Sequence, residues 1–98
     1  MTFQDYLARL PTSWTPCPEL PHPDLRVRRD KDHLCLKIEL TRYHLHEKHS
    51  VKLIDTLFQN LERKGFRFGY LHLKSAREIT SRDSAPTDYY RIAEEEIQ

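Results

Sequence analysis

The stretch Leu25-Arg26-Val27-Arg28-Arg29-Asp30-Lys31-Asp32-His33-Leu34-Cys35-Leu36-Lys37-Ile38-Glu39-Leu40-Thr41 decides the fold. Leu25 and Val27 alternate with Arg26 and Arg28. Beyond Asp30-Lys31-Asp32 the alternation resumes, with Leu34, Leu36, Ile38 and Leu40 set against Cys35, Lys37, Glu39 and Thr41. Successive side chains of a strand point to opposite faces, so a period of two makes one face apolar and the other polar. The polar break at residues 30–32 turns the run back on itself as a β-hairpin.

The period then changes. Residues 47–64 carry Val51, Ile54, Leu57, Phe58 and Leu61 at helical spacing, with Lys52, Asp55, Gln59 and Glu62 on the other side. Ser50 reads as the N-cap of this amphipathic helix and Gly65 as its C-terminal cap. The following run, Phe66 to Leu73, is too short for another helix and rich in aromatics, so it reads as a strand. Phe66, Phe68 and Tyr70 share one of its faces and Leu71 and Leu73 the other, which predicts a strand inside the sheet rather than at its edge. Residues 80–88 have the composition of a loop, Tyr89 to Ala93 form a last strand, and residues 94–98 are an acidic tail.

Upstream of the hairpin, Phe3, Tyr6, Leu7 and Leu10 follow Thr2, a permitted N-cap, and predict a short helix that Pro11 ends. Residues 11–24 hold five of the six prolines and form an extended arm. Trp14 sits within it and is expected to pack onto the core and pin the arm down, or else to dock a partner. The expected architecture is a single α+β domain over residues 1–98. It has two layers, with about four mostly antiparallel strands in ββαββ order, one long helix on one face, a short N-terminal helix and a proline-rich arm.

Composition narrows function mainly by exclusion. A chain of 98 residues has room for one core. With sixteen Lys and Arg against fifteen Asp and Glu, its pI of 7.8 lies well below the value of about 9 that marks a dedicated nucleic-acid domain. The charge is locally uneven, with Arg26, Arg28, Arg29 and Lys31 clustered early and Arg63, Lys64 and Arg67 later. Cys17 and Cys35 read as two free thiols of a reducing compartment. The N-terminus has no basic segment followed by an apolar one, and no apolar run approaches the roughly 18–20 residues of a membrane span. The expectation is a cytoplasmic protein with no membrane association.

Three groups of residues invite a functional reading. His44, His46 and His49 crowd the start of the long helix, but His46-Glu47-Lys48-His49 misses the H-E-x-x-H spacing of zinc peptidases, so no metal is assigned to them. The run Lys64-Gly65-Phe66-Arg67-Phe68-Gly69-Tyr70-Leu71 partly resembles the RNP1 strand of RNA recognition motif domains. It agrees at Lys64, Gly65, Phe66 and Phe68 and departs at Arg67, Gly69 and Leu71. The resemblance implies bases stacked on Phe66, Phe68 and Tyr70, with phosphates held by Arg63, Lys64 and Arg67. The same aromatics, turned toward the long helix, would instead be core, and this reading ranks higher. Finally, Arg26 and Arg28 lie on the face opposite Leu25 and Val27, where paired arginines can hold phosphate or carboxylate.

No G-x-S-x-G motif is present, and two glycines are too few for a phosphate-binding loop, so neither catalytic nor cofactor-binding residues are assigned. The reading placed first is a non-catalytic adaptor or regulator that binds another protein through Trp14, Arg26 and Arg28. Second comes RNA or DNA binding through the aromatic strand and its flanking Arg and Lys. A sheet with one open face also leaves room for a homodimer.

Overall fold

A computed structural model of the chain describes residues 2–40, 47–65, 71–78 and 86–94. The elements run α1 (Phe3–Ala8), β1 (Thr15–Pro16), β2 (Leu25–Asp30), β3 (His33–Glu39), α2 (Glu47–Arg63), β4 (Leu71–Glu78) and β5 (Thr87–Glu94). The strands form one antiparallel sheet in the order β1-β2-β3-β5-β4; the α+β class is as the residue pattern predicts, whereas the ββαββ order is matched only roughly, because the arm adds β1 as a fifth strand.

The hairpin register follows from the alternation. Leu25 pairs with Ile38, Val27 with Leu36 and Arg29 with Leu34, so the apolar positions of both strands fall on one face. On β5, Ile92 lies opposite Leu34 and Tyr90 opposite Leu36, extending that face by one strand. The turn is tight, with Asp30 paired to His33 and Lys31 at φ 55°. A two-residue hairpin loop needs positive φ in this position to match the twist of its strands, although glycine adopts it more readily than lysine.

Both helices cover this face. Leu53, Ile54, Leu57 and Leu61 of α2 join Phe3, Tyr6 and Leu7 of α1, and Leu25, Val27, Leu34, Leu36, Ile38 and Ile92 of the sheet, in one buried cluster. A capping box starts α1: the Asp5 amide donates to Thr2 Oγ1 (3.1 Å) and the Thr2 amide to Asp5 Oδ2 (3.0 Å). The hydrogen bond from the Thr2 backbone holds the Asp5 carboxyl below its ordinary pKa. At the other end of α2, Gly65 adopts φ 88° and its amide closes the helix on the Glu62 carbonyl at 3.0 Å.

The proline arm wraps the helical side. Cys17 is fully buried, the Tyr6 hydroxyl donates to Glu19 Oε2 (3.2 Å), and the Asn60 side-chain amide of α2 donates to the Glu19 carbonyl (2.9 Å). Nearer the start of the arm, the Arg29 amide donates to the Pro11 carbonyl at 2.8 Å. Burial, followed by the negative charge of Cys17 and Glu19, pushes the Tyr6 hydroxyl far above its ordinary pKa.

Several details differ from the sequence expectation. Ser50 is not a cap: α2 begins at Glu47, and Ser50 is fully buried, donating to Asp88 Oδ2 on β5 at 2.7 Å. Val51 is 52% exposed, because the buried stripe runs through Ser50, Leu53, Ile54, Leu57 and Leu61 and leaves Val51 in the row of exposed Asp55 and Glu62. Placed inside the sheet by the aromatic pattern, the strand after α2 instead lies at its edge as β4 and extends to Glu78, and β5 takes the interior position. Residues 66–70, including Phe66, Arg67, Phe68 and Tyr70, lie outside the described residues. So do His44 and His46, most of the 80–88 segment, and the tail beyond Glu94.

Truncating Leu57→Ala removes a fully buried side chain and is expected to cost about 2–5 kcal/mol in urea unfolding, whereas Val51→Ala should stay within ~0.5 kcal/mol. For Gly65→Ala the expected loss is about 1–2 kcal/mol, from backbone strain alone, since nothing lies within 4 Å of the added carbon. Because the native state holds the Tyr6 proton more tightly than the unfolded chain, the Tyr6 contribution to stability is full below about pH 10 and falls as pH rises above it. The same unfolding titration should show a shallower alkaline slope in Tyr6→Phe, the remainder coming from the buried thiols of Cys17 and Cys35.

A candidate interaction face on the open side of the sheet

With both helices on one face, the other carries Arg26, Arg28 and Asp30 of β2, Cys35, Lys37 and Glu39 of β3, and Tyr89 and Arg91 of β5. Trp14 belongs to this face. Thr15 pairs with Val27 on the core side, so the preceding residue falls on the opposite side, next to Arg28. Its indole lies 5.0 Å from the Arg28 guanidinium carbon and 5.1 Å from Lys37 Nζ, with the Tyr89 ring 6.2 Å away at 49°. Each cation–π contact contributes about 0.5–1 kcal/mol at an exposed site. Trp14 therefore does pin the arm, but onto the open face and not into the core, because the single indole reaches two cations and a ring there.

Beside the indole lies a groove of about 140 Å³ lined by Trp14, Arg28, Asp30, Cys35, Tyr89 and Arg91, among others. Arg91 Nη2 meets Asp30 Oδ2 at 3.2 Å across the rim, an exposed ion pair worth at most about 1 kcal/mol. Cys35 lies in the groove, is almost fully buried and is free, as is Cys17. Burial pushes the Cys35 thiol above its ordinary pKa, against the opposing pull of the Arg28 and Arg91 guanidiniums, which leaves it a poor nucleophile. Burial likewise raises the Cys17 thiol.

Arg26 and Arg28 share a face but do not converge. Arg26 folds back so that Nη1 donates to the carbonyls of Pro23 (3.2 Å) and Leu25 (2.9 Å), while Arg28 stacks on Trp14. Arg63 and Lys64 are exposed at the end of α2, on the covered side of the sheet, away from Trp14. The other members of the proposed nucleic-acid set, Phe66, Arg67, Phe68 and Tyr70, lie outside the described residues.

Sequence reasoning missed Lys37, Tyr89 and Arg91 as companions of Trp14. They are 23 to 77 residues away along the chain; the pairing of β1, β2 and β3 brings Lys37 alongside, and the pairing of β5 beside β3 brings Tyr89 and Arg91. It also missed that His49 meets Asp24: His49 Nε2 lies 3.2 Å from Asp24 Oδ2 at the entry to β2. No helix among the described residues is long and apolar enough to cross a membrane.

If Trp14 walls the groove, Trp14→Ala should speed alkylation of Cys35 several-fold while Cys17, buried on the other side, stays as slow as before. Mass spectrometry of peptides after timed iodoacetamide treatment reads both rates, and an unchanged Cys35 rate would show that the indole does not shield it. No family model matches the chain, and neither a curated protein nor a solved structure matches it.

Proposed function

We propose that this chain is a small non-catalytic binding domain that engages another protein through the open face of its sheet. The observation that carries this reading is the Trp14 cluster, a partly buried indole that meets Arg28, Lys37 and Tyr89 and, with Arg28, Tyr89 and Arg91, lines a shallow groove. Trp, Tyr and Arg are the side chains most enriched in the few contacts that dominate protein interfaces, and here they gather at one place on a flat surface. The groove is small enough to take one partner side chain, and its cationic walls favour an acidic or aromatic one.

Single-stranded nucleic acid is the second reading. It draws on the same feature, since aromatic rings beside Arg and Lys on an open sheet are what base stacking and phosphate contact require. The near-neutral charge of the chain counts against it, because sequence-independent phosphate attraction needs a broad excess of cations.

Affinity capture from the native host with wild type and Trp14→Ala separates these readings, circular dichroism confirming that both are folded. The expectation is a partner protein retained by wild type and lost by the variant; an identical set of captured proteins would sink the proposal. Titration with a single-stranded oligonucleotide at low salt is the complementary arm. Trp14 is the only tryptophan, so quenching of its emission by the oligonucleotide, reversed by salt, would replace the protein partner with nucleic acid. Light scattering at two concentrations reports whether a second copy of the chain occupies the face instead.

A further inference from the structure

Away from the open face, three side chains of metal-ligating type converge from separate elements. His22 lies in the proline arm, Asp24 directly before β2, and His49 in the first turn of α2. Asp24 Oδ2 stands 3.2 Å from His49 Nε2 and 3.9 Å from His22 Nδ1. One donor atom from each residue lies within 4.8 Å of the other two. The imidazoles meet edge to face, centroids 5.7 Å apart at 62°. The Asp24 and His49 side chains are only 15% and 13% exposed and that of His22 33%, so the corner opens to solvent on the His22 side.

We infer that His22, Asp24 and His49 form a binding site for a divalent transition-metal ion of the zinc type. Donors held about 2.0–2.2 Å from a tetrahedral ion lie roughly 3.4 Å from one another. The Asp24–His49 separation of 3.2 Å already matches, and the His22–Asp24 separation of 3.9 Å closes by a small rotation of the more exposed ring. Two imidazoles and one carboxylate suit zinc and its neighbours in the first transition row, whereas calcium and magnesium require oxygen donors.

The local hydrogen bonding sets the tautomer of His22. The Asp24 amide donates to His22 Nδ1 at 3.1 Å, which puts the lone pair on the nitrogen nearer the carboxylate and the proton on Nε2. An incoming ion takes that lone pair in place of the amide hydrogen. Three protein ligands leave a fourth position for water. Binding would tie the arm, the start of the hairpin and the helix together at one point.

Zinc titrated into chelator-stripped protein, in competition with a chromophoric chelator, should show one site per chain, and cobalt(II) in its place should give the visible absorption of a four-coordinate ion. Zinc should also raise the melting temperature of wild type. In His22→Ala, and in His49→Gln, affinity should fall at least about tenfold, the effect that loss of even a supporting partner can produce. His22 is the less buried ligand, so His22→Ala decides the matter if His49→Gln does not fold. The inference is overturned if wild type shows no saturable one-to-one binding or His22→Ala binds zinc as tightly as wild type. It falls equally if His44→Ala/His46→Ala loses the ion while His22→Ala retains it.

Discussion

The large apolar side chains of the β2–β3 hairpin point to one side of the sheet, and the register that puts them there governs most of the remaining architecture. Leu25, Val27, Leu34, Leu36 and Ile38 are almost fully buried, and they are buried because α1 and α2 both lie over them. A one-residue slip in the pairing would send the whole apolar set of a strand to the wrong face, so the tight turn at Lys31 and Asp32 matters beyond its size. At roughly 25 cal/mol per Å² of apolar surface, no polar contact among the described residues competes with this burial. The hydrogen bonds that tie the elements together, such as Ser50 to Asp88 and Asn60 to Glu19, select the arrangement more than they drive it.

One-sided burial has a direct counterpart on the other side. A sheet whose helices all lie on one face presents the side chains of the other to solvent, and here these are Arg, Lys, Tyr and a tryptophan brought in by the arm. Trp14 reaches that face because β1, only two residues long, pairs with β2 in a register that places Thr15 on the core side. The arm thus serves both layers: Cys17 and Leu20 join the helical side and Trp14 the open side. Its prolines suit this role, since an extended segment that gives up backbone donors loses little by lying along an edge.

Much of the fold was legible from residue pattern. The hairpin, the amphipathic helix with its Gly65 cap, the short first helix after Thr2 and the final strand all rest on local periodicity and capping chemistry, which the structure keeps. Local pattern failed where a residue's partner lay far along the chain. Ser50 has the chemistry of a cap, but Asp88 offers its hydroxyl a buried acceptor, and the helix starts three residues earlier. The strand after α2 carries enough apolar residues to suggest an interior position, yet strand order depends on which neighbour β3 pairs with, and β3 pairs with β5.

For the candidate sites the division is sharper. The chain's own residue order supplied Trp14, Arg28 and His49 as side chains with chemistry to spare, and it placed Arg26 and Arg28 on the polar face of their strand through the period of two alone. It could not pair Trp14 with Lys37 and Tyr89, or His49 with His22 and Asp24, because periodicity carries information over a turn or two of helix and these contacts join separate elements. Secondary structure is written in spacing along the chain, whereas a site is written in distances between elements. Those distances exist only after the apolar face of the hairpin has closed against its helices.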